Sequence, residues 1–438
     1  MEAIHRQVNP KKAEDRFACP AKIPDEMRAI VLDGTGFSHM QLRRVPTPRP
    51  GPQQMLARVD AAGICTSLIK LIDQGRNHPL LSGWNLTRFP LILGDEGSVT
   101  LVEVGSSLHQ TYRPGQRCVI QPAVDSQPLS HRERYRDNAR GITKIAVGYT
   151  LCGHLAEYIL IGEEILAAGC LIPLPDFTLP YAHAALSEPF SCVISAQDRH
   201  VHLTQAGPLS PRVVMKGLKP GGVCVILGTG IMGRMHVALA MSYRPRAIVA
   251  ADLVESRLEL VRRLFSPRAA QLGIELHALN PAHDNLKQVV NELTNHGGAD
   301  DVIVAVGARQ VIADAQSLVG RGGVLNLFGG LKKDEDIVGL ETSLVHYKEI
   351  NITGSSGGSP WDVARTLELM AAGEINASDH IACIGDLTHV PQFLQMIREQ
   401  SIDGKAVVYP HRPAAEVRTV KSWTAQEEQA YLLRDGEE

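Results

Sequence analysis

A glycine-rich turn between an apolar strand and a helical pattern constrains the fold of this chain more than any other feature. The run GTGIMG at 228–233 directly follows the apolar stretch 223–227 and opens a helical pattern over 231–242. A second apolar run at 247–251 comes next and ends at Asp252. A strand, tight turn, helix and strand in this order form a βαβ unit, whose two strands lie parallel in one sheet. The sequence therefore predicts an α/β domain around this turn.

The sequence around this unit shows two different patterns of apolar residues. Over 196–360, apolar runs alternate with helical stretches, which is typical of a doubly wound parallel sheet of the Rossmann type. These further runs lie at 301–306, 324–328 and 350–353. Over 27–195, short apolar runs are broken by Gly, Pro and Asp, which predicts a β-rich domain of barrel or sandwich type. The patterns over 361–410 are expected to return to that first domain.

The two ends of the chain are predicted to lie outside these domains. Residues 1–26 are expected to form a loosely held arm without the apolar core of a secretory signal. Residues 411–438 are expected to form a polar tail with no obvious core.

Composition limits the partners that the chain can have. The sequence contains no run of about eighteen apolar residues, so no membrane span is expected. The net charge of −3 gives no reason to expect nucleic acid or an anionic membrane as a partner. Eight scattered cysteines without a C-x-x-C pair favour reduced thiols in a cytosolic protein. We therefore expect a cytoplasmic protein that acts on a small molecule.

The glycine turn has the context of a dinucleotide-binding loop. Its first glycine makes the tight turn, its second lets a pyrophosphate approach the backbone, and its third lets helix and strand pack closely. Asp252 at the end of the second strand favours NAD(H) over NADP(H), because a carboxylate accepts hydrogen bonds from ribose hydroxyls and repels a 2′-phosphate. Arg257 could weaken that preference. The alternative is a glycine turn without nucleotide. The predicted cofactor contacts are Gly228, Gly230, Ile231, Met232, Gly233, Asp252, Arg257 and Gly307.

A thiol and three carboxylates form a candidate metal site. Cys65 follows an apolar strand, Asp95 and Glu96 lie in a glycine-flanked loop, and Glu188 precedes a proline. A catalytic zinc site needs three protein ligands and one open position, and thiolate is a good zinc ligand. Taken singly, Cys65 is more often a buried thiol and the acidic pair an exposed turn. The ordered set, followed by the dinucleotide loop, favours a metal beside a nicotinamide.

From about residue 27 to 410, the chain resembles the zinc-dependent medium-chain alcohol and polyol dehydrogenase family. The resemblance implies a GroES-like catalytic domain beside the Rossmann domain and hydride transfer between a nicotinamide and a carbonyl or alcohol. It also implies a homo-oligomer, either a dimer or a tetramer. The runs 94–99 and 404–410 and the extra segment between 188 and 228 are most similar to members acting on sugar or polyol phosphates. Those members interconvert compounds such as L-sorbose 1-phosphate and D-glucitol 6-phosphate.

Two positions depart from the family pattern. Asp95 stands where the family has a ligating His, and Leu68 stands where it has an Asp. A ligating His needs an acid on its other ring nitrogen, whereas a ligating Asp does not, so the two changes belong together. The extra negative charge predicts a weaker Lewis acid, and the more oxygen-rich ligand set predicts better tolerance of Mn²⁺ or Mg²⁺. Zn²⁺ remains the prediction because of the thiolate. No structural zinc is expected, since no cysteine lies between Cys118 and Cys152.

The resemblance also implies roles for polar residues near Cys65. Ser67 is the first candidate for a proton relay, with Thr66 beside it and Lys70 as a possible continuation. A phosphorylated substrate needs cationic groups, and the candidates are equally consistent with surface charges. These candidates are Arg76, His78, Arg88, Arg199, His200 and His202.

Three alternatives remain open from the sequence. The first is a dehydrogenase of an unphosphorylated polyol or another secondary alcohol. The second is a metal-free quinone reductase of the same superfamily, against which Cys65 and Glu188 count. The third is a non-catalytic nucleotide-binding protein that kept the fold, and the missing ligand His gives it some weight.

Overall fold

The computed structural model describes residues 22–176, 178–331 and 335–433. The arm predicted for residues 1–26 lies almost wholly outside these ranges, as do the last residues of the predicted tail. Within the described residues, no helix combines the length and the apolar character needed to cross a membrane.

A six-stranded parallel sheet forms around the glycine turn. In spatial order its strands are Glu275–Leu279, Ala247–Ala251, Val223–Leu227, Ala299–Val304, Val319–Leu327 and Asn351–Gly354. This is the Rossmann order, in which the first strand lies at the centre and the chain runs outward to each side. Successive residues of the central strand enter separate apolar clusters, Val225 one and Ile226 the other. Both faces are therefore covered, as predicted.

Helices connect these strands. They are Ile231–Ala240, Glu255–Leu272, Leu286–Leu293, Arg309–Ala315 and Thr342–Lys348.

A second, largely antiparallel sheet contains the strands of the first half of the chain. In order it runs Leu171–Pro173, Arg117–Ile120, Glu96–Val104, Met55–Gly63, Lys405–Val408, Ile381–Gly385 and Arg418–Thr419, with Tyr158–Ile161 also paired to Met55–Gly63. A three-stranded sheet of Met40–Pro46, Glu26–Leu32 and Leu91–Ile92 accompanies it, as does the pair Ala123–Val124 and Ile145–Ala146. Strands from the end of the chain thus complete a sheet begun near its start. The β-rich domain predicted by the sequence is confirmed.

Helices also accompany the second sheet. They are Ser67–Gln74, Glu163–Ala167, Tyr181–Ala185, Ser187–Gln197, Pro360–Ala371, Val390–Arg398 and Ala425–Leu433.

A β-hairpin not foreseen in the sequence lies between the two sheets along the chain. Its strands are Val201–Gln205 and Arg212–Lys216. Leu203 and Val214 face each other across it and are 61% and 56% exposed. The hairpin is attached to the edge of the Rossmann sheet, where the Asn351 side chain donates to the Val201 carbonyl at 3.4 Å.

The C-terminal segment is packed into the protein, and the expectation that it has no core was wrong. Trp423 is completely buried in an apolar cluster. The buried Glu428 carboxylate accepts hydrogen bonds from the backbone N–H groups of Tyr181 and Ala182 at 2.7 and 2.8 Å. The carboxylate thereby caps the start of the helix Tyr181–Ala185, where free N–H groups favour negative charge.

Candidate active site

Strand register gathers three of the four predicted metal ligands at one end of the second sheet. Gly63 pairs with Glu96 on one side and with Val407 on the other. Cys65 therefore emerges beside the carboxylates. Gly94, just before them, has a φ of +106°, a conformation that side chains disfavour. That glycine allows the turn which directs Asp95 inward.

Cys65, Asp95 and Glu96 form a close group. Their candidate ligand atoms all lie within 4.8 Å of one another. Asp95 Oδ1 and Glu96 Oε2 are buried and accept no hydrogen bond from any described residue. A buried carboxylate oxygen without a donor is costly, and a bound cation would remove that cost. The thiol and the two acids therefore fit a metal such as Zn²⁺.

Glu188 lies outside this close group, although its carboxyl faces the same acids. Its pKa is raised well above the ordinary value by burial and by the charges of Glu96 and Asp95. The Cys192 thiol donates to Glu188 Oε1 at 3.5 Å. The structure thus brings three of the four predicted ligands together and leaves the fourth within electrostatic range.

A buried lysine balances the negative charge of the group. Lys405 is 4% exposed, and its ammonium contacts Glu96 Oε1. Burial opposes the charge on Lys405, but the Glu96 carboxylate outweighs this effect and raises the pKa of the lysine. Burial also raises the pKa of Cys65, and Asp95 raises it further, so the thiol stays protonated until a cation binds. The extra charge introduced by Asp95 is therefore offset.

Two hydroxyl groups hold Asp95 in place. Ser67 Oγ and Tyr149 Oη donate to Asp95 Oδ2 at 2.7 and 3.3 Å. Leu68 is fully buried in the apolar core. In a metal site with a ligating histidine, an acid orients the ring. Here two hydroxyl donors orient the aspartate instead. Thr66 is exposed beside them.

The glycine turn leaves space for a ligand. An ideal Cβ placed on Gly230 would meet no atom within 4 Å. Asp252 Oδ2 accepts the Thr229 backbone N–H at 2.7 Å, which fixes the carboxylate beside the turn. The strand that precedes Gly307 pairs with the strand that precedes the turn, so that glycine lies at the same sheet edge. Ile231, Met232 and Gly233 form the first turn of the helix that follows.

Comparisons with known proteins agree with this arrangement. The zinc-binding dehydrogenase family matches residues 232–372, and the alcohol dehydrogenase GroES-like domain matches residues 51–176. Mannitol-1-phosphate 5-dehydrogenase of Aliivibrio fischeri is 31% identical over 382 residues, covering 86% of this chain and 85% of that protein. The chain belongs to the zinc-type medium-chain polyol dehydrogenase family. It is therefore an oxidoreductase of the alcohol and polyol dehydrogenase type.

A further curated relative and one solved structure are also similar to this chain. L-sorbose 1-phosphate reductase of Klebsiella pneumoniae is 28% identical over 427 residues, covering 92% of this chain and 97% of that protein. A solved zinc-binding dehydrogenase from Sinorhizobium meliloti bound to NADP has a TM-score of 0.67 at 24% identity, covering 88% of this chain and all of that one. The latter likeness shows the fold alone.

Two histidines were suggested as partners of a substrate phosphate, and their surroundings exclude that role. His200 and His202 are buried, and their rings contact Asp301 Oδ1 at 2.6 and 2.9 Å. Two ligand atoms of one tetrahedral zinc stand roughly 3.3 Å apart, so these shorter contacts are hydrogen bonds. Because the side chains of both histidines are engaged inside the protein, the suggestion that they meet a phosphate was wrong. Arg76, Arg88 and Arg199 are exposed, and His78 is half-buried.

The Asp301 cluster attaches the hairpin to the Rossmann sheet, and its loss is expected to destabilise the protein. Asp301→Asn should lower the free energy of unfolding by roughly 3 kcal/mol near neutral pH, because two buried rings lose a charged partner. The histidine hydrogen bonds overcome burial and lower the pKa of Asp301 to about 2. The stabilisation is thus present above about pH 4 and is lost as the pH falls toward 2. Denaturant unfolding measured at several pH values checks this.

Asp300→Asn is the matched control. Asp300 is adjacent and more exposed, and it pairs with the Lys219 ammonium at 2.6 Å. This variant should lose about 1 kcal/mol or less. Equal losses in the two variants would contradict the role given to Asp301.

Sequence reasoning missed two residues that contact the close group. Lys405 entered only as part of the run 404–410 that carries the resemblance, and Tyr149 belongs to no motif. The one available signal was a lysine within the otherwise apolar strand Lys405–Val408. A charged residue inside a buried strand requires a partner.

Proposed function

We propose that this protein is a metal-dependent dehydrogenase that transfers a hydride between NAD(H) and a sugar or polyol phosphate. The observation that carries the proposal is the close group of Cys65, Asp95 and Glu96 with two buried carboxylate oxygens lacking donors. Membership of a polyol dehydrogenase family supports the reaction type. The helix Ser187–Gln197, which carries Glu188, packs on the helix that follows the glycine turn, and this contact supports a metal site beside the nicotinamide site.

In the proposed site, Cys65, Asp95 and Glu96 would hold Zn²⁺, with Glu188 available nearby. A zinc ion bound there supplies a Lewis acid that lowers the pKa of an alcohol or polarises a carbonyl. The glycine turn and Asp252 would hold the nicotinamide cofactor, with Asp252 accepting hydrogen bonds from the ribose. Alcohol oxidation releases one hydride to NAD⁺ and one proton.

Ser67 is the group proposed to receive that proton. Its hydroxyl donates to Asp95, so its oxygen lone pairs remain free to accept a proton from a substrate hydroxyl. Ser67 releases its own hydroxyl proton as it accepts that of the substrate, and Thr66, exposed next to it, would pass the released proton toward solvent.

Lys70 supports a phosphorylated substrate. It lies on the helix Ser67–Gln74, three residues after Ser67 and hence on the same face. Burial lowers the pKa of His78, and Lys70 lowers it further, so the two groups are near each other. The His78 ring packs 5.3 Å from the Tyr149 ring, whose hydroxyl reaches Asp95. Lys70 forms no ion pair with any residue in the described ranges and is exposed.

Lys70→Gln is therefore expected to discriminate between substrates. It should lower kcat/KM for a sugar phosphate by roughly 10- to 100-fold, since a charge-assisted hydrogen bond to phosphate contributes about 1.5–3 kcal/mol. Turnover of the corresponding unphosphorylated polyol should change little. Steady-state kinetics with both substrates checks this, and Lys287→Gln, on an exposed helix of the Rossmann domain, is the control. Equal losses for both substrates would instead assign Lys70 to the proton relay.

The whole proposal is tested by metal analysis combined with a substrate screen. We expect one Zn²⁺ per chain, and oxidation of NADH in the presence of ketose phosphates. Turnover confined to free polyols would favour the unphosphorylated alternative. Absence of both metal and turnover would leave a nucleotide-binding protein without this chemistry.

A further inference from the structure

An arginine lies between two aspartates at the end of the glycine turn where the ribose of a dinucleotide would bind. Arg257 Nη1 is 3.8 Å from Asp252 Oδ2, and Arg257 Nε is 3.1 Å from Asp403 Oδ1. Gln400 Oε1 also accepts from Arg257 Nη2 at 3.4 Å. The guanidinium is thus engaged on several sides, and its side chain is only 21% exposed.

Asp403 comes from the other domain of the protein. It lies in the loop between the helix Val390–Arg398 and the strand Lys405–Val408, whereas Arg257 lies on a helix of the Rossmann domain. A buried arginine, Arg234, fixes this loop by donating to the Asp403 carbonyl at 2.6 Å and to the Thr229 carbonyl at 3.1 Å. The Asp403 carboxylate is therefore held against the glycine turn by a contact that does not involve its own side chain.

We infer that Asp403 is a specificity-determining residue, which excludes a 2′-phosphate by engaging Arg257. Arg257 is a cation beside Asp252, where that phosphate would bind, but it is shared by two carboxylates. The three side chains together carry one net negative charge, and a phosphate monoester adds about 1.5–2 more. Removing the charge of Asp403 leaves the group neutral and frees one side of the guanidinium for bidentate binding. The inference rests on the proposed nicotinamide site.

The test is calorimetric titration of the full-length protein with ADP-ribose and with its 2′-phosphorylated form. Binding of these ligands measures the contacts made by the adenosine half of the cofactor, and it requires no turnover. Asp403→Asn keeps the side-chain shape and the carbonyl that Arg234 binds. We expect it to bind the 2′-phosphorylated ligand about tenfold more tightly than the wild type. Its affinity for ADP-ribose should change less than twofold.

Two further variants make the result specific. Asp403→Asn combined with Arg257→Met should abolish the gain, because the phosphate then has no cation to meet. Glu399→Gln removes the same charge from the end of the neighbouring helix and should leave both affinities unchanged. An Asp403→Asn protein that binds ADP-ribose normally without gaining the 2′-phosphorylated form would overturn the inference alone. A wild-type protein that binds neither ligand would overturn the nicotinamide site as well.

Discussion

Replacing Cys65 by Ser is expected to remove both the metal and the activity. A serine hydroxyl does not ionise near neutral pH, so the close group loses its one sulfur ligand and the charge that goes with it. A metal that stabilises a developing alkoxide contributes several kcal/mol to the transition state, and about 1.4 kcal/mol corresponds to a factor of ten in rate. We therefore expect kcat to fall by roughly 10³-fold or more, with zinc content near zero by elemental analysis.

Cys152→Ser is the matched control for this experiment. Cys152 is an exposed thiol outside the close group, so its loss should change neither zinc content nor turnover. Near-UV circular dichroism of both variants would show whether each keeps its tertiary packing. A Cys65→Ser enzyme with normal zinc and normal turnover would refute the metal site, and with it the proposed reaction.

Much of the Rossmann half was predictable because burial on both faces leaves a simple pattern. The strands Val223–Leu227 and Ala247–Ala251 are buried throughout, so each appears as an unbroken apolar run that ends at a Gly or an Asp. The predicted bounds of both match the structure to the residue. Cys65, Asp95 and Glu96 could also be identified from the sequence, since each motif lies next to a recognisable strand end.

The features that could not be predicted from the sequence depend on contacts between segments that are distant along the chain. The approach of Lys405 to Glu96 follows from the register of three strands drawn from both ends of the chain, and no local pattern encodes that register. Glu188 was grouped with the metal ligands from motif order alone, which cannot give a distance. The C-terminal helix Ala425–Leu433 is held by the buried Trp423 just before it and by the Glu428 carboxylate, which caps a helix far back along the chain.

Lys405→Met is expected to cause the largest loss of stability among the variants considered. The substitution leaves the fully buried Glu96 without its cation, and breaking a buried pair from one side costs about 3–5 kcal/mol. Burial already raises the pKa of Glu96 above its ordinary value of 4.5, and loss of the lysine raises it further. A buried acid with a raised pKa destabilises the folded state only at pH values at which the same acid is ionised in the unfolded chain. The loss should therefore be small at pH 5 and full at pH 8, measured by denaturant unfolding of the metal-free protein.

Two companion variants separate charge from packing. Lys405→Arg retains the cation and should recover most of the stability, limited by the larger guanidinium in a buried space. Adding Glu96→Met to Lys405→Met removes both charges and should also restore much of it, because an apolar pair replaces an uncompensated acid. That double variant should nevertheless fail to bind zinc tightly, since Glu96 is then missing from the ligand group. If Lys405→Met were as stable as the wild type at pH 8, Lys405 would not be the counter-ion of Glu96, and the balance of charge at the site would need another source.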